Sequence, residues 1–393
     1  MTNPGGQAAG PGAVYHLAAI PGDGVGPDVL DAGRTVLEAT AGAFGFGLEW
    51  TELVVGGAGI DAYGLAIRRE DLEVCAAADA VYLGAVGGPK WDDPTSPVRP
   101  EQALFEMRGG LGLFANLRPV TIQPRLAAAS PLRPELLEGV DLLIVRELTG
   151  GLYFGPRTEA GGSPPGSRSA SDTLPYSDTE IERVVRVAFE LALSRRSKVT
   201  SVDKANVLAT SRLWRRVAVE VGARFPEVQL NHQLVDSCAM QLVKSPAAFD
   251  VLVTENLFGD ILSDEASVLA GSLGMLPSAS VGSRRTAHGL HGLYEPIHGS
   301  APDIAGRDLA NPIGTILSGA MLLRWSLGQV EAAAAIEAAV NRAIDDGYRT
   351  VDLWPADGQS SNGLTRVGTV AMTKAIADRI ATGQPAATQA VAR

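Results

Sequence analysis

The sequence predicts an α/β protein, and three of its features say so. Short runs that are apolar throughout, such as 80–83 (AVYL) and 251–254 (VLVT), alternate with longer stretches of helical period. A parallel strand covered by helices on both faces needs apolar side chains on both, so it reads as an unbroken run and not as strict alternation. Segment 181–196 (IERVVRVAFELALSRR) has apolar residues at 181, 184, 185, 188, 189 and 192 with charges opposite, the pattern of an amphipathic helix. The 393 residues suffice for two domains or one two-lobed unit.

In chain order, MTNPGGQAAGPG reads as a floppy start, lacking the basic region and apolar core of a signal peptide. Strands are expected at 15–20, 80–83, 141–145, 198–202 and 251–254. GDGVGPD (22–28) follows the first of them and invites a dinucleotide reading, but Pro27 stands where GxGxxG needs its last glycine. Proline suits a first helical turn and not that close strand–helix contact, so this is not a Rossmann site.

Three arginines then fall beside strand ends and glycines: Arg108 in EMRGG, Arg118 in FANLRP and Arg146 in VREL. In a chain this acidic, three planar guanidinium forks point to a ligand with several carboxylates. Tyr153, in TGGLYFG, is the phenol that flanking glycines would present to a cleft. Segment 155–175 (GPRTEAGGSPPGSRSASDTLP) has no apolar period and is a long excursion from the core.

After the helix at 181–196, DKANVL (203–208) closes a strand with Lys204 in a partly enclosed position, where burial beside cations would tune it toward general-base use. Asp236, in LVDSCAMQL, sits among apolar residues and would be costly to bury unpaired. TENLFGDILSDE (254–265) sets Asp260 and Asp264 four apart on one helix face. Two carboxylates there suit Mg²⁺ or Mn²⁺, with Asp236 a possible third ligand; the spacing alone equally describes a solvated acidic helix start. In LYEPIHGSAPDIAG (293–306), small residues allow a flat ligand to approach the backbone, and Asp303 could accept from ribose hydroxyls. Two helical segments, 312–327 and 330–344, close the pattern with Gly328 as a stop between them, and a loose end begins near Thr382.

Composition narrows the function further. Lys plus Arg (33) against Asp plus Glu (44) gives a net charge of −11, which argues against nucleic-acid or anionic-membrane partners. No apolar run approaches the ~18–20 residues of a membrane span. The two cysteines, Cys75 and Cys238, form no CxxC motif, so neither a disulfide framework nor a zinc site is expected. A cytoplasmic enzyme of small carboxylic acids fits best.

Together PGDGVGPDV, GAVGGPKWDD, LFANLRP, VRELTGGLYFG, SVDKANVL, TENLFGDILSDE and EPIHGSAPDIAG resemble the β-hydroxyacid oxidative decarboxylases, the isocitrate/isopropylmalate dehydrogenase family, from Val14 to about Ala381. The resemblance is strongest to the branch acting on 3-isopropylmalate. It implies two α/β domains around a mixed sheet of about ten strands, unlike a Rossmann fold. Domain one would join 1–113 with 271–393, and domain two would be 114–270 with a dimerisation arm at about 150–175.

The resemblance further implies NAD-dependent oxidative decarboxylation of 3-isopropylmalate to 4-methyl-2-oxopentanoate in leucine biosynthesis, by a homodimer with shared active sites. Arg108, Arg118 and Arg146 would clamp the substrate carboxylates. Asp260 and Asp264, with Asp236 contributed across the dimer, would hold Mg²⁺ or Mn²⁺; Lys204, also across it, would be the base and Tyr153 the proton donor. Glu101, His298, Gly299, Ser300, Ala301, Asp303, Ile304 and Asn311 would line the NAD site, with Asp303 buried enough to disfavour NADP on the order of a hundredfold. Leu104 and Val207 would contact the isopropyl group. Phe105 replaces a usual second leucine and is expected to pack outward; Ala209 stands where Glu is common. Sister enzymes act on D-malate, tartrate, homoisocitrate or isocitrate, and some relatives are non-catalytic subunits.

Overall fold

The protein is described by a computed structural model covering residues 12–93, 96–159, 168–355 and 360–380. The floppy start and the loose end expected from the sequence lie outside these residues. The strands are β1 (Val14–Gly22), β2 (Gly47–Glu52), β3 (Ala80–Ala85), β4 (Leu113–Thr121), β5 (Asp141–Glu147), β6 (Arg157–Thr158), β7 (Ser171–Asp172), β8 (Lys198–Asp203), β9 (Gln229–Leu234), β10 (Val251–Thr254), β11 (Pro277–Arg285) and β12 (Leu290–Pro296). The helices used below are α1 (Gly26–Phe44), α2 (Gly57–Tyr63), α3 (Arg69–Ala77), α4 (Gln102–Gly110), α5 (Pro134–Leu137), α6 (Asp178–Ala192), α7 (Ala209–Gly222), α8 (Val235–Lys244), α9 (Asn256–Ser267), α10 (Ile313–Trp325) and α11 (Val330–Asp345).

Ten strands form one mixed sheet in the order β2-β1-β3-β12-β11-β4-β5-β10-β8-β9. The strands β2, β1, β3 and β12 are mutually parallel, as are β5, β10, β8 and β9. Antiparallel pairings of β11 with β12 and β4, and of β4 with β5, join the two parallel blocks. This is the mixed α/β sheet expected, and not a Rossmann order. Helices cover it: α1, α6, α10 and α11 contribute Leu37, Val185, Phe189, Ile316 and Ile336 to one continuous buried core, while a smaller core around Ile20, Cys75, Leu83 and Met107 fills the other face of the first block.

All five expected strands are present, and the other five explain why they were harder to see. β4 carries Asn116 and Arg118, β9 reads QLNHQL, and β12 carries His291 and Glu295, so polar residues interrupt the apolar signal. α6 begins three residues before the expected start because Ser177 and Glu180 form a capping box, and it stops at Ala192, ahead of Ser197 at φ 53°. Of the excursion at 155–175, residues 160–167 lie outside the described ones; those flanking them pair antiparallel as β6 and β7. Both cysteines are buried and unpaired, their thiols pushed up to about 12 chiefly by burial.

Candidate active site

Three guanidinium groups converge where β4 pairs with β5 and α9 begins. Arg118 lies within β4, Arg146 at the end of β5 and Arg108 in the last turn of α4, and all three are buried. Arg146 donates from Nε and Nη2 to Asn256 Oδ1, at 3.0 and 2.8 Å, and from Nη1 to Asp260 Oδ1. Arg118 donates from Nε to Asn116 Oδ1 at 2.7 Å and from Nη1 to Ser263 Oγ at 2.6 Å and Asp264 Oδ1 at 3.4 Å. Arg108 Nη2 lies 3.3 Å from Glu295 Oε1, while its buried Nε has no hydrogen-bond partner among the described residues. The Tyr153 hydroxyl donates to Asp260 Oδ2 at 2.8 Å.

The electrostatics of this cluster favour an anion. Burial, with help from Arg118, lowers Arg146 to about 10, and burial likewise lowers Arg118. Burial raises Asp264 against the opposing pull of Arg118. Stacking guanidinium groups in a desolvated space raises their free energy as cations, and a ligand carrying carboxylates relieves that while satisfying Arg108 Nε. Tyr153 is pushed up to about 12 by burial and by its bond to Asp260, so at neutral pH it keeps its proton.

Asp260 and Asp264 occupy successive turns of α9, and as hard oxygen donors they suit a divalent cation of the Mg²⁺ or Mn²⁺ kind. No group of three His, Cys, Asp or Glu side chains that could hold a metal exists among the described residues. Asp236 is elsewhere: it opens α8, is exposed, and Lys204 Nζ donates to it at 2.6 Å. The cost of burying it unpaired, raised by its apolar neighbours, therefore does not arise. Its apolar neighbours Cys238 and Leu242 turn inward, whereas Asp236 stays in water, held below the ordinary carboxylate range first by Lys204. Lys204 is partly enclosed, as expected, and Val207 beside it is 62% exposed.

Leu104 packs against the smaller core. Phe105, expected to pack outward, borders a groove of about 750 Å³ together with Glu101, Tyr153 and Arg157, and meets Phe154 edge to face with ring centroids 5.5 Å apart. The cause is local: Ala103 and Met107 anchor α4 to the core, which turns position 105 toward the turn carrying Tyr153.

The segment expected to meet a dinucleotide lies against the loop before α1. Val25 N donates to Ser300 O at 2.7 Å, and a Cβ on Gly24 (φ 59°) would stand 2.0 Å from that same oxygen. His298 Nε2 is buried with no partner among the described residues, although Nδ1 lies 2.9 Å from Gly299 O; burial lowers this histidine. Gly299 is open to any neighbour, Ser300 is buried, and Ala301 adopts φ 36°, a conformation side chains rarely take. An orphaned imidazole nitrogen beside small residues fits a nucleotide's polar groups. Ile304 packs near Val25 and Val29, and Asp303 is exposed. The Asn311 side chain is committed inside the protein, to Asp352 and to the Ile313 amide that opens α10. Within GDGVGPD, Asp23 accepts the amides of Gly57, Ala58 and Gly87 at 2.8 Å each, so that motif ties the start of α2 and the loop after β3 together.

Asn116, Asn256, Ser263 and Glu295 hold the arginines, yet they were not singled out beforehand. Their signal was a polar residue inside an otherwise apolar strand or helix face, which is costly unless partnered. Comparison with known proteins then decides the family. Residues 16–376 match the sequence profile of isocitrate/isopropylmalate dehydrogenases. The chain belongs to that family. Among its relatives is the 3-isopropylmalate dehydrogenase of Anaeromyxobacter dehalogenans, 59% identical over 86% of this chain and 94% of that protein. That of Pseudomonas fluorescens is 52% identical over 92% and 97%. A solved isocitrate dehydrogenase from Methylococcus capsulatus superposes with TM-score 0.79 at 34% identity, covering 93% of this chain and 99% of that one. A β-decarboxylating dehydrogenase from Thermococcus kodakarensis gives 0.71 at 38%, covering 93% and 96%. Membership brings with it a pyridine nucleotide and a divalent metal in general terms.

Proposed function

We propose that this chain catalyses the NAD-dependent oxidative decarboxylation of 3-isopropylmalate to 4-methyl-2-oxopentanoate in leucine biosynthesis. The observation that carries the reading is the meeting of three buried guanidinium groups, Arg108, Arg118 and Arg146, with the more open Asp260, Asp264 and Tyr153. Relatives named 3-isopropylmalate dehydrogenase, at 52–59% identity, support the same substrate.

The three arginines hold the two substrate carboxylates. Asp260 and Asp264 would hold Mg²⁺ or Mn²⁺, with a partner's Asp236; His298, Gly299, Ser300, Ala301, Asp303 and Ile304, with Glu101 and Asn311 nearby, would line the NAD site. A divalent metal held there would lower the pKa of the substrate hydroxyl, and NAD would supply the acceptor for the C2 hydride. Lys204 takes the hydroxyl proton as the C2 hydride leaves, giving a β-keto acid. Departure of CO₂ leaves its electron pair as an enolate, and Tyr153, kept protonated by burial, returns a proton to carbon.

In one chain Lys204 and Asp236 pair with each other, which supports a homodimer whose sites draw both residues from the neighbouring subunit. Met240, Val243 and Ile261, at 64%, 44% and 57% exposure, give α8 and α9 an apolar surface for such a partner. We further assign 1–113 with 271–393 to one domain and 114–270, with an arm at about 150–175, to the other. No described helix is long and apolar enough to cross a membrane, and a cytoplasmic location suits the unpaired cysteines. The test is NADH absorbance with 3-isopropylmalate, D-malate and isocitrate, with Mg²⁺ and with EDTA. 3-Isopropylmalate should lead; isocitrate or D-malate in the lead would overturn the substrate.

A further inference from the structure

The chain returns from the 155–175 excursion at Tyr176, a residue that touches none of the proposed ligands. Its hydroxyl lies 3.1 Å from Glu147 Oε2 and 3.4 Å from Glu255 Oε2, and it accepts the Asn256 amide at 3.0 Å. Both carboxylates are buried. Glu147 also takes the amides of Thr149 and Gly150, at 2.9 and 2.8 Å, while Glu255 caps α9 by accepting the amides of Leu257 and Phe258. One phenolic proton is therefore shared between two buried acids that end β5 and start α9.

The same ring braces the turn that carries Tyr153. A Cβ on Gly150 would stand 2.6 Å from the Tyr176 ring, and one on Gly151 2.6 Å from its hydroxyl. Asn256 closes the circuit: its Nδ2 donates to Gly150 O at 3.2 Å, and its Oδ1 takes Nε and Nη2 of Arg146. With those donors occupied, only Nη1 of Arg146 faces Asp260.

We propose that Tyr176 is a positioning residue for the substrate clamp, acting through Asn256 to aim Arg146. The proposal rests on the reading that Arg146 grips a substrate carboxylate. A hydroxyl that accepts the first amide of α9 and bridges two carboxylates fixes where Asn256 sits, and buried networks of this kind hold geometry tightly when every member is satisfied. Phenylalanine would leave the Asn256 amide without its acceptor and two buried carboxylates sharing no proton.

The test measures KM for 3-isopropylmalate and for NAD, with kcat, in five variants. Y176F should raise substrate KM about tenfold and leave the KM for NAD within twofold, because the contact that fixes Asn256, and through it Arg146, is lost. N256A, which leaves the tyrosine in place, should do the same, and adding Y176F to it should change substrate KM less than twofold further, as expected for one pathway. W214F removes part of the ring packed edge-on against Tyr176 at 5.7 Å and should lower the melting temperature without moving either KM. R146A should raise substrate KM a hundredfold or more.

A flat substrate KM in N256A overturns the relay even if Y176F cannot be purified. So do parallel changes in both KM values, multiplied effects in the double variant, or a W214F shift equal to that of Y176F. If R146A itself leaves substrate KM unchanged, the carboxylate clamp falls and the relay with it. If R146A behaves as expected while Y176F does not, only the relay falls.

Discussion

Two parts of the sheet's second block differ in how finished they are. At β5 and α9 the guanidinium groups are buried and held: Arg146 by Asn256 and Asp260, Arg118 by Asn116, Ser263 and Asp264. At β8 and β9 the groups are just as reactive but open, Lys204 and Asp236 spending their charge on each other with Asp236 in water. A surface pair of that kind contributes about 0–1 kcal/mol and separates readily when a better partner arrives. The first region is preorganised by its own chain; the second is open, and in the proposed dimer it would serve the neighbouring subunit. Substitutions in the two should therefore fail differently.

The largest effect is expected in the finished region. Asp260→Asn removes a charge that meets Arg146 and Tyr153 and would hold the metal, so turnover should drop on the order of a thousandfold with the fold intact by circular dichroism. Excess EDTA should act on the wild type in the same direction. Full activity in EDTA would remove the metal from the site.

The second prediction separates the regions directly. Lys204→Met and Arg108→Ala should each be inactive. Random pairing of the two makes half the dimers mixed, each with one intact site, so about a quarter of wild-type activity should return after co-refolding. No recovery in verified mixed dimers would place both residues in one chain's site and erase the contrast.

Sequence and structure agree where chemistry and pattern coincide. Arg118 and Arg146 were legible because a guanidinium beside an apolar strand has few bland explanations, and Asp260 with Asp264 because helical spacing fixes their shared face. Asn256 and Ser263 were not, since amides and hydroxyls occur in every helix, and their role depends on β4, β5 and α9 meeting across 110 to 145 residues of chain. The exposure of Asp236 was not legible, because its apolar neighbours say nothing about which side of a helix faces water until α8 is docked.

Asp303 resembles the open region, being exposed. Its expected rejection of a 2′-phosphate assumed a buried contact; in water, screening would bring the like-charge penalty nearer ~1.4 kcal/mol, about tenfold. The ratio of kcat/KM for NAD over NADP should therefore be about ten, fall severalfold in Asp303→Asn, and shrink with added salt. A ratio near one in the wild type would take Asp303 out of cofactor selection.

The smallest effect concerns Phe105, at the edge of the finished region. Its ring meets Phe154 edge to face and borders the groove reached by Tyr153, while Leu104 packs into the core and Val207 lies exposed beside Lys204. On the proposed reading, Phe105 would be this chain's part of the apolar wall for the substrate's alkyl group. A ring there occupies more room than the leucine common in the family, so the wild type should tolerate small 3-alkyl groups well. Phe105→Leu should open the space and move the kcat/KM ratio of 3-isopropylmalate to 3-methylmalate upward by about fourfold, the worth of roughly one buried methylene at ~0.8 kcal/mol. Loss of the aromatic pair, about 1 kcal/mol, should appear in the melting temperature and not in that ratio. An unchanged ratio would mean that the wall is supplied wholly by the other region, through Val207 of a second subunit, and the division between a finished and an open half would then run through the substrate pocket itself.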